Sequence, residues 1–121
     1  MKEPFIFENS RVPDILSKIS PIEIFAITLG PFIFFKGMPS KRTVRHEMIH
    51  FHQYVEMWYI GFIIYYLFDF LYCAIIKKKG FTREAYESIR FEQEAHQNDL
   101  NEDYLETREK KAWKNYKLGG E

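Results

Sequence analysis

Hydrophobic residues change their spacing three times along this chain, and each change predicts a different element. Residues 22 to 37, IEIFAITLGPFIFFKG, are rich in β-branched and aromatic side chains and break at Gly30-Pro31. Two short strands joined at that turn suit the run better than one helix. From Lys41 to about Tyr59 the apolar positions fall at Val44, Met48, Ile49, Phe51 and Val55, a spacing that predicts a helix with one buried side. Ser40, in the preceding MPSKR, is its expected N-cap. Residues 57 to 76, MWYIGFIIYYLFDFLYCAII, are apolar throughout except for Asp69. KKKG ends that run, and FTREAYESIRFEQEAHQND resumes a helical pattern with Thr82 at its N-cap. Residues 1 to 20, punctuated by Pro4 and Pro13, read as irregular. In the charged tail, Leu100, Tyr104, Leu105 and Trp113 are the candidate docking residues. The predicted fold is α+β and mainly helical, one domain over residues 1–121. A short β-hairpin precedes a helix that packs against a second helix near residue 92.

The apolar run is long enough to cross a bilayer. Positive charge does not orient it, because Lys41, Arg42 and Arg45 precede it while Lys77, Lys78 and Lys79 follow. Its aromatics are scattered along the run, and Asp69 would be costly facing lipid. The expectation is therefore buried or partner-docked helices that bend back near Gly61, with peripheral membrane contact as the alternative.

At 121 residues with zero formal net charge, the chain supports one modest core and shows none of the basic excess of a nucleic-acid binder, so no nucleic-acid partner is expected. The lone Cys73 cannot form an internal disulfide and reads as a small buried hydrophobe. MKEPFIFENS has no apolar core of signal-peptide length, so no export signal is expected there. Aromatics make up 18% of the residues and concentrate between 51 and 72. So much adhesive surface on a small domain predicts a protein partner or homo-oligomer through that segment.

Candidate chemistry sits in RHEMIHFHQ, residues 45–53. Residues four apart share a helix face, so His46 and His50 can aim imidazole nitrogens at one point. Zn2+ takes such nitrogens in tetrahedral geometry, and Glu47 is placed to reach a metal-bound water as general base without itself being a ligand. With only 4 histidines in the chain, this pentad arises by chance with odds on the order of one per cent. A catalytic zinc also needs a third protein ligand. His52 lies on the wrong side of the helix, and positions 53 and 56 hold Gln and Glu where a longer motif would place glycine and histidine. The segment RFEQEAH, residues 90–96, is the best source. There Glu92 shares a face with Ala85, Ser88, Ala95 and His96, small enough in part for close helix approach. Glu87 and Glu94 share a face with Phe91 and Asn98, and rank below it.

HEMIH followed by a helix reading E-x-E-A resembles the gluzincin zinc metallopeptidases, particularly the small, membrane-associated branch with an ExxAD third-ligand motif. Residues 40–50 and 92–96 carry that resemblance. Over residues 20–116 the chain is closer still to short HExxH…FExEA proteins of bacteria and tailed phages, which imply no established substrate. The resemblance implies a zincin-like domain with His46, His50 and Glu92 as zinc ligands and Glu47 as base. It departs from the pattern at His96, where the family has an Asp that braces a ligand histidine. Asp99 or Asp69 would have to take that role. His96, Tyr86 and Tyr104 are the candidates for stabilising an oxyanion.

Three functions compete. A zinc-dependent hydrolase, a metallopeptidase most of all, leads. A non-catalytic zinc-stapled docking protein of a larger assembly such as a phage virion is second, and a metal-free membrane adaptor third.

Overall fold

A computed structural model describes residues 3–20 and 24–120. It is mainly helical, with a three-stranded sheet packed on one side of the HEMIH helix. Strands β2 (Ala26–Leu29) and β3 (Phe32–Phe35) form the expected hairpin, paired antiparallel with Ala26 opposite Phe35. The turn passes through Gly30 at a φ of +61°, a conformation that glycine adopts without steric cost. The predicted run began at 22, and Ile22 and Glu23 lie outside the described residues.

Residues 1–20 correct the expectation of irregular chain. β1 (Phe5–Phe7) pairs parallel with β3, giving the order β1-β3-β2, and α1 (Val12–Ile19) follows. Three residues are too few for periodicity to register as a strand, and Pro13 sits in the first turn of α1, where its missing N–H costs nothing.

Ser40 caps α2 (Lys41–Glu56) by accepting the Thr43 backbone N–H at 3.1 Å. Its inner side buries Ile49, Phe51 and Tyr54, the Phe51 ring packing on Ile33 and Phe35 of the sheet. The bend expected at Gly61 comes earlier. α2 ends at Glu56, and Trp58 and Tyr59 take positive φ values of 57° and 61° before α3 (Ile60–Leu71) departs. The two helices meet at 113°. Consecutive non-glycine residues in the left-handed region cost roughly 1–2 kcal/mol each. Burial of Phe62 on Tyr54 and Phe91 offsets that, the Tyr54 and Phe62 rings stacking at 3.9 Å.

Asp69 is fully buried but does not face lipid or the cluster below: it accepts from Arg90 Nε and Nη2 at 2.9 and 2.8 Å. Among the described residues no single helix is long and apolar enough to cross a membrane. A π-helical turn, Tyr72–Ile76, closes α3 and buries Cys73. Thr82 caps α4 (Arg83–Glu87), accepting from Ala85 N, and α5 (Arg90–Asn98) then returns antiparallel-fashion onto α2. α6 (Tyr104–Thr107) and a 3₁₀ turn, Ala112–Asn115, finish the chain, with Trp113 sealing the core against Phe91. Leu100, by contrast, stays exposed.

Candidate metal centre

α2 and α5 bring one carboxylate between two imidazoles. His46 Nε2 lies 3.4 Å from Glu92 Oε1, and His50 Nε2 lies 3.1 Å from Glu92 Oε2. The three ligand atoms fall within 4.8 Å of one another, each from a side chain at most partly exposed. Donors around one tetrahedral zinc, with bonds of about 2.0–2.1 Å, stand roughly 3.4 Å apart. On α5 the small Ala95 is fully buried, while Ala85, expected on the same face, lies in α4 and packs against Cys73 and Ala74 instead.

The outer nitrogens are braced. His46 Nδ1 lies 3.0 Å from Asp99 Oδ2, and His50 Nδ1 lies 2.8 Å from Gln53 Oε1. Each acceptor faces Nδ1 and turns Nε2 inward, the ring orientation a metal ligand requires. Asp99 is itself held by Arg42 Nε at 2.9 Å, and its carbonyl accepts from Arg45. Of the two acids considered as braces, Asp99 serves and Asp69 does not. Gln53 was not singled out in the sequence. It sits three residues after His50, on the same face, and that spacing could have found it.

Inside the cluster the polar bookkeeping does not close. Among the described residues, the buried His50 Nε2 and Glu92 Oε1 have no hydrogen-bond partner of acceptable direction, although the imidazole and carboxylate lie within ion-pair distance. Buried polar atoms left unsatisfied cost roughly 1–3 kcal/mol each, and these two lie in the group of side chains whose geometry could hold a metal ion. Electrostatics agree. Burial alone would lower the His50 imidazolium, but the facing Glu92 carboxylate outweighs it and raises the group to about 9. His46 is raised in the same balance. Burial would raise Glu92, yet the His50 charge, with both imidazole contacts, holds it well below the ordinary carboxylate range.

Glu47 is buried beside these groups and is not one of them. Its Oε1 accepts from the Thr28 hydroxyl of β2 at 2.8 Å, and burial raises it above the ordinary carboxylate range. Tyr66, from the middle of the apolar run, donates to Glu92 Oε2 at 2.9 Å. No feature of the sequence separates it from the seven other tyrosines. Tyr86 lies half-buried against Glu92 and Tyr66, with burial first among the causes that raise its hydroxyl. Tyr104 is turned elsewhere, donating to Glu94 at 2.7 Å. The exposed His96 ring stands 4.8 Å from that of His46, and His52, lowered by burial and then by the Arg108 charge, is not among the converging donors.

Two clefts meet at Glu47 and Tyr86. One, of about 530 Å³, runs from His50 and Glu92 between β2 and the apolar side chains Phe62, Ile63 and Leu67 of α3. The other, of about 320 Å³, opens on the His46 side beside Arg42, Arg83 and His96. Comparison with known protein families, with characterised proteins and with solved structures finds nothing that matches this chain.

Proposed function

We propose that the protein is a zinc-dependent hydrolase, most simply a metallopeptidase, with His46, His50 and Glu92 as ligands and Glu47 as general base. The observation that carries the reading is the pair of buried atoms, His50 Nε2 and Glu92 Oε1, left without partners at the point where three donors converge. Three protein donors of the N, N, O type leave a fourth position for water, the donor set of catalytic rather than closed structural zinc sites. Zinc supplies a water of lowered pKa and polarises the scissile carbonyl.

The chain's own residues do the rest. Glu47, raised by burial and oriented by Thr28, takes the proton from the attacking water and returns it to the leaving amine. Tyr86 borders both clefts and is the phenol best placed to donate to a developing oxyanion. β2 is an edge strand of the sheet whose residues Ala26 to Leu29 border the larger cleft, so an extended substrate can add to it by main-chain hydrogen bonds. A purely structural zinc staple needs no buried acid beside its ligands, and Glu47 argues for the hydrolase over it.

Two measurements test the reading. Zinc content by mass spectrometry is expected near one per chain in wild type and in Glu47→Gln, and near zero in Glu92→Ala. Turnover of a fluorogenic peptide library is expected from wild type and lost in Glu47→Gln. Full zinc with no turnover in wild type would leave the staple. Well-folded protein that takes up no zinc overturns both.

A further inference from the structure

The unpaired apolar surface of α3 has a pattern that the uniform hydropathy of its sequence conceals. Phe62, Tyr66, Asp69 and Phe70 turn inward. Ile60, Ile63, Ile64, Leu67, Phe68 and Leu71 all face out, with exposures from 38% to 70%. Those positions are spaced i, i+3, i+4, i+7, i+8 and i+11, so they form one straight stripe. Ile75 and Ile76 extend it beyond the helix, and Trp58, 87% exposed, stands at its start. The stripe bears no charge, which is unusual for a solvent-facing helix surface.

Three features of the molecule point to what covers it. Lys77, Lys78 and Lys79 follow the stripe directly, the first two exposed and Lys79 half-buried within 3.8 Å of Glu84. Tyr65 and Tyr72 lie along one margin, where amphipathic rings suit a boundary between hydrocarbon and water. Ile63 and Leu67, on the other margin, are also walls of the larger cleft, so that cleft opens onto the stripe. Aliphatic side chains with a lysine cluster at one end fit an interfacial helix on anionic lipid. Protein contact sites, in contrast, concentrate Trp, Tyr and Arg at their centres.

We propose that the outer stripe of α3 docks on an anionic lipid surface, with Trp58 and Lys77–Lys79 at its two ends. Docking sets the mouth of the apolar cleft at the lipid boundary. The substrate class follows, on the hydrolase reading above: an amide carrying a long hydrocarbon or apolar segment held in that surface.

The test is co-sedimentation with vesicles of phosphatidylcholine alone and of phosphatidylcholine mixed with phosphatidylglycerol. Zinc content and oligomeric state are read on the same preparations. Wild type and Glu47→Gln should bind the anionic vesicles at least tenfold more tightly than the neutral ones, since each lysine near such a surface contributes about fivefold. Ile64→Glu with Phe68→Glu, neither lining the cleft, should abolish binding and leave zinc content unchanged. Absence of vesicle binding overturns the proposal, as does binding that the double variant leaves intact. A dimer that the double variant converts to monomers, without vesicle binding, assigns the stripe to a second copy instead. Vesicle binding by a protein without zinc would preserve the docking surface while the hydrolase reading falls. For the substrate class, zinc-loaded Glu47→Gln should bind dodecanoyl-glycine at least a hundredfold more tightly than acetyl-glycine by calorimetry. Equal affinities overturn that part.

Discussion

Glu92 and Glu94 sit two residues apart on one helix, both buried, and their surroundings could hardly differ more. Glu94 is saturated with donors: Arg108 through Nε and Nη2, Gln53 Nε2 at 2.9 Å and Tyr104 at 2.7 Å. Its charge is matched by a permanent cation whose side chain is itself only 4% exposed. Glu92 meets two imidazoles and the phenols of Tyr66 and Tyr86, and keeps an oxygen with no hydrogen-bond partner of acceptable direction. The protein supplies no fixed positive charge to it. A buried carboxylate without a cation of its own is stable only if it takes one from solution, as a proton shared with histidine or as a metal ion. Glu94 is held by the fold, and Glu92 by the candidate site alone.

Removing the charge at each position should separate the two roles most sharply. Glu94→Ala leaves Arg108 buried with Glu56 as its remaining acid partner. The expected cost is about 3–5 kcal/mol, seen as a lower urea midpoint whether or not zinc is present. Glu92→Ala should cost the metal-free protein stability only below about pH 9, where the carboxylate holds His50 charged, whereas the Glu94→Ala loss persists at higher pH. If Glu94→Ala instead folds normally and loses zinc, the two assignments must be exchanged.

Zinc itself gives the next largest effect. At free metal about a hundred to a thousand times the dissociation constant, ligand binding stabilises the native state by roughly 2.7–4 kcal/mol. Wild type should gain that increment in a thermal melt and Glu92→Ala should not. Equal gains in both would place the metal elsewhere.

Acidity distinguishes the clusters in the metal-free protein. His50 is raised to about 9 in the folded state by Glu92, against burial that would lower it. A raised histidine contributes stability that is fully present below its unfolded value, near 6.5, and lost as pH rises through the folded value. Urea unfolding with chelator present should therefore weaken by roughly 2–3 kcal/mol between pH 6.5 and 9.5. Glu92→Ala should flatten that slope. Zinc reverses the dependence, because metal binding competes with the same protons and strengthens as pH rises. Glu94 acts at the other end of the scale. Burial would raise it, but Arg108 lowers it, so its contribution is present above the ordinary glutamate range and fades on acidification.

The mainly helical α+β class and the residues of the candidate site were legible in the sequence, and several elements around them were not. HEMIH is legible because helical period puts His46 and His50 together at any burial, and Ser40, Thr82 and the Gly30 turn are local signals. Glu92 could be preferred to Glu94 from its small neighbours, although both proved buried. Arg108, which fixes the role of Glu94, lies 14 residues further on in an ordinary charged stretch. β1 was invisible because its partner, β3, is distant in sequence and its three residues leave no period to read. The bend at Trp58 and Tyr59 was misplaced to Gly61 because positive φ at two aromatics contradicts local preference, and tertiary packing enforces it. The outward stripe of α3 was hidden since inward and outward positions are equally hydrophobic.

The finest contrast lies between two tyrosines. Tyr66 donates to Glu92 in a direct 2.9 Å contact, and Tyr104 is one of several donors to Glu94. Each Tyr→Phe change removes a hydroxyl and little volume, with an expected stability loss of about 1 kcal/mol. Their effects on metal should diverge. Tyr66→Phe frees the Glu92 oxygen that faces His50 and loosens its orientation, which should weaken zinc affinity by about tenfold or more in a chelator competition. Tyr104→Phe touches a carboxylate still held by Arg108 and Gln53, so its zinc affinity should match wild type. A loss of affinity in Tyr104→Phe as large as in Tyr66→Phe would mean that the two glutamates form one coupled network and that the division between fold and site fails.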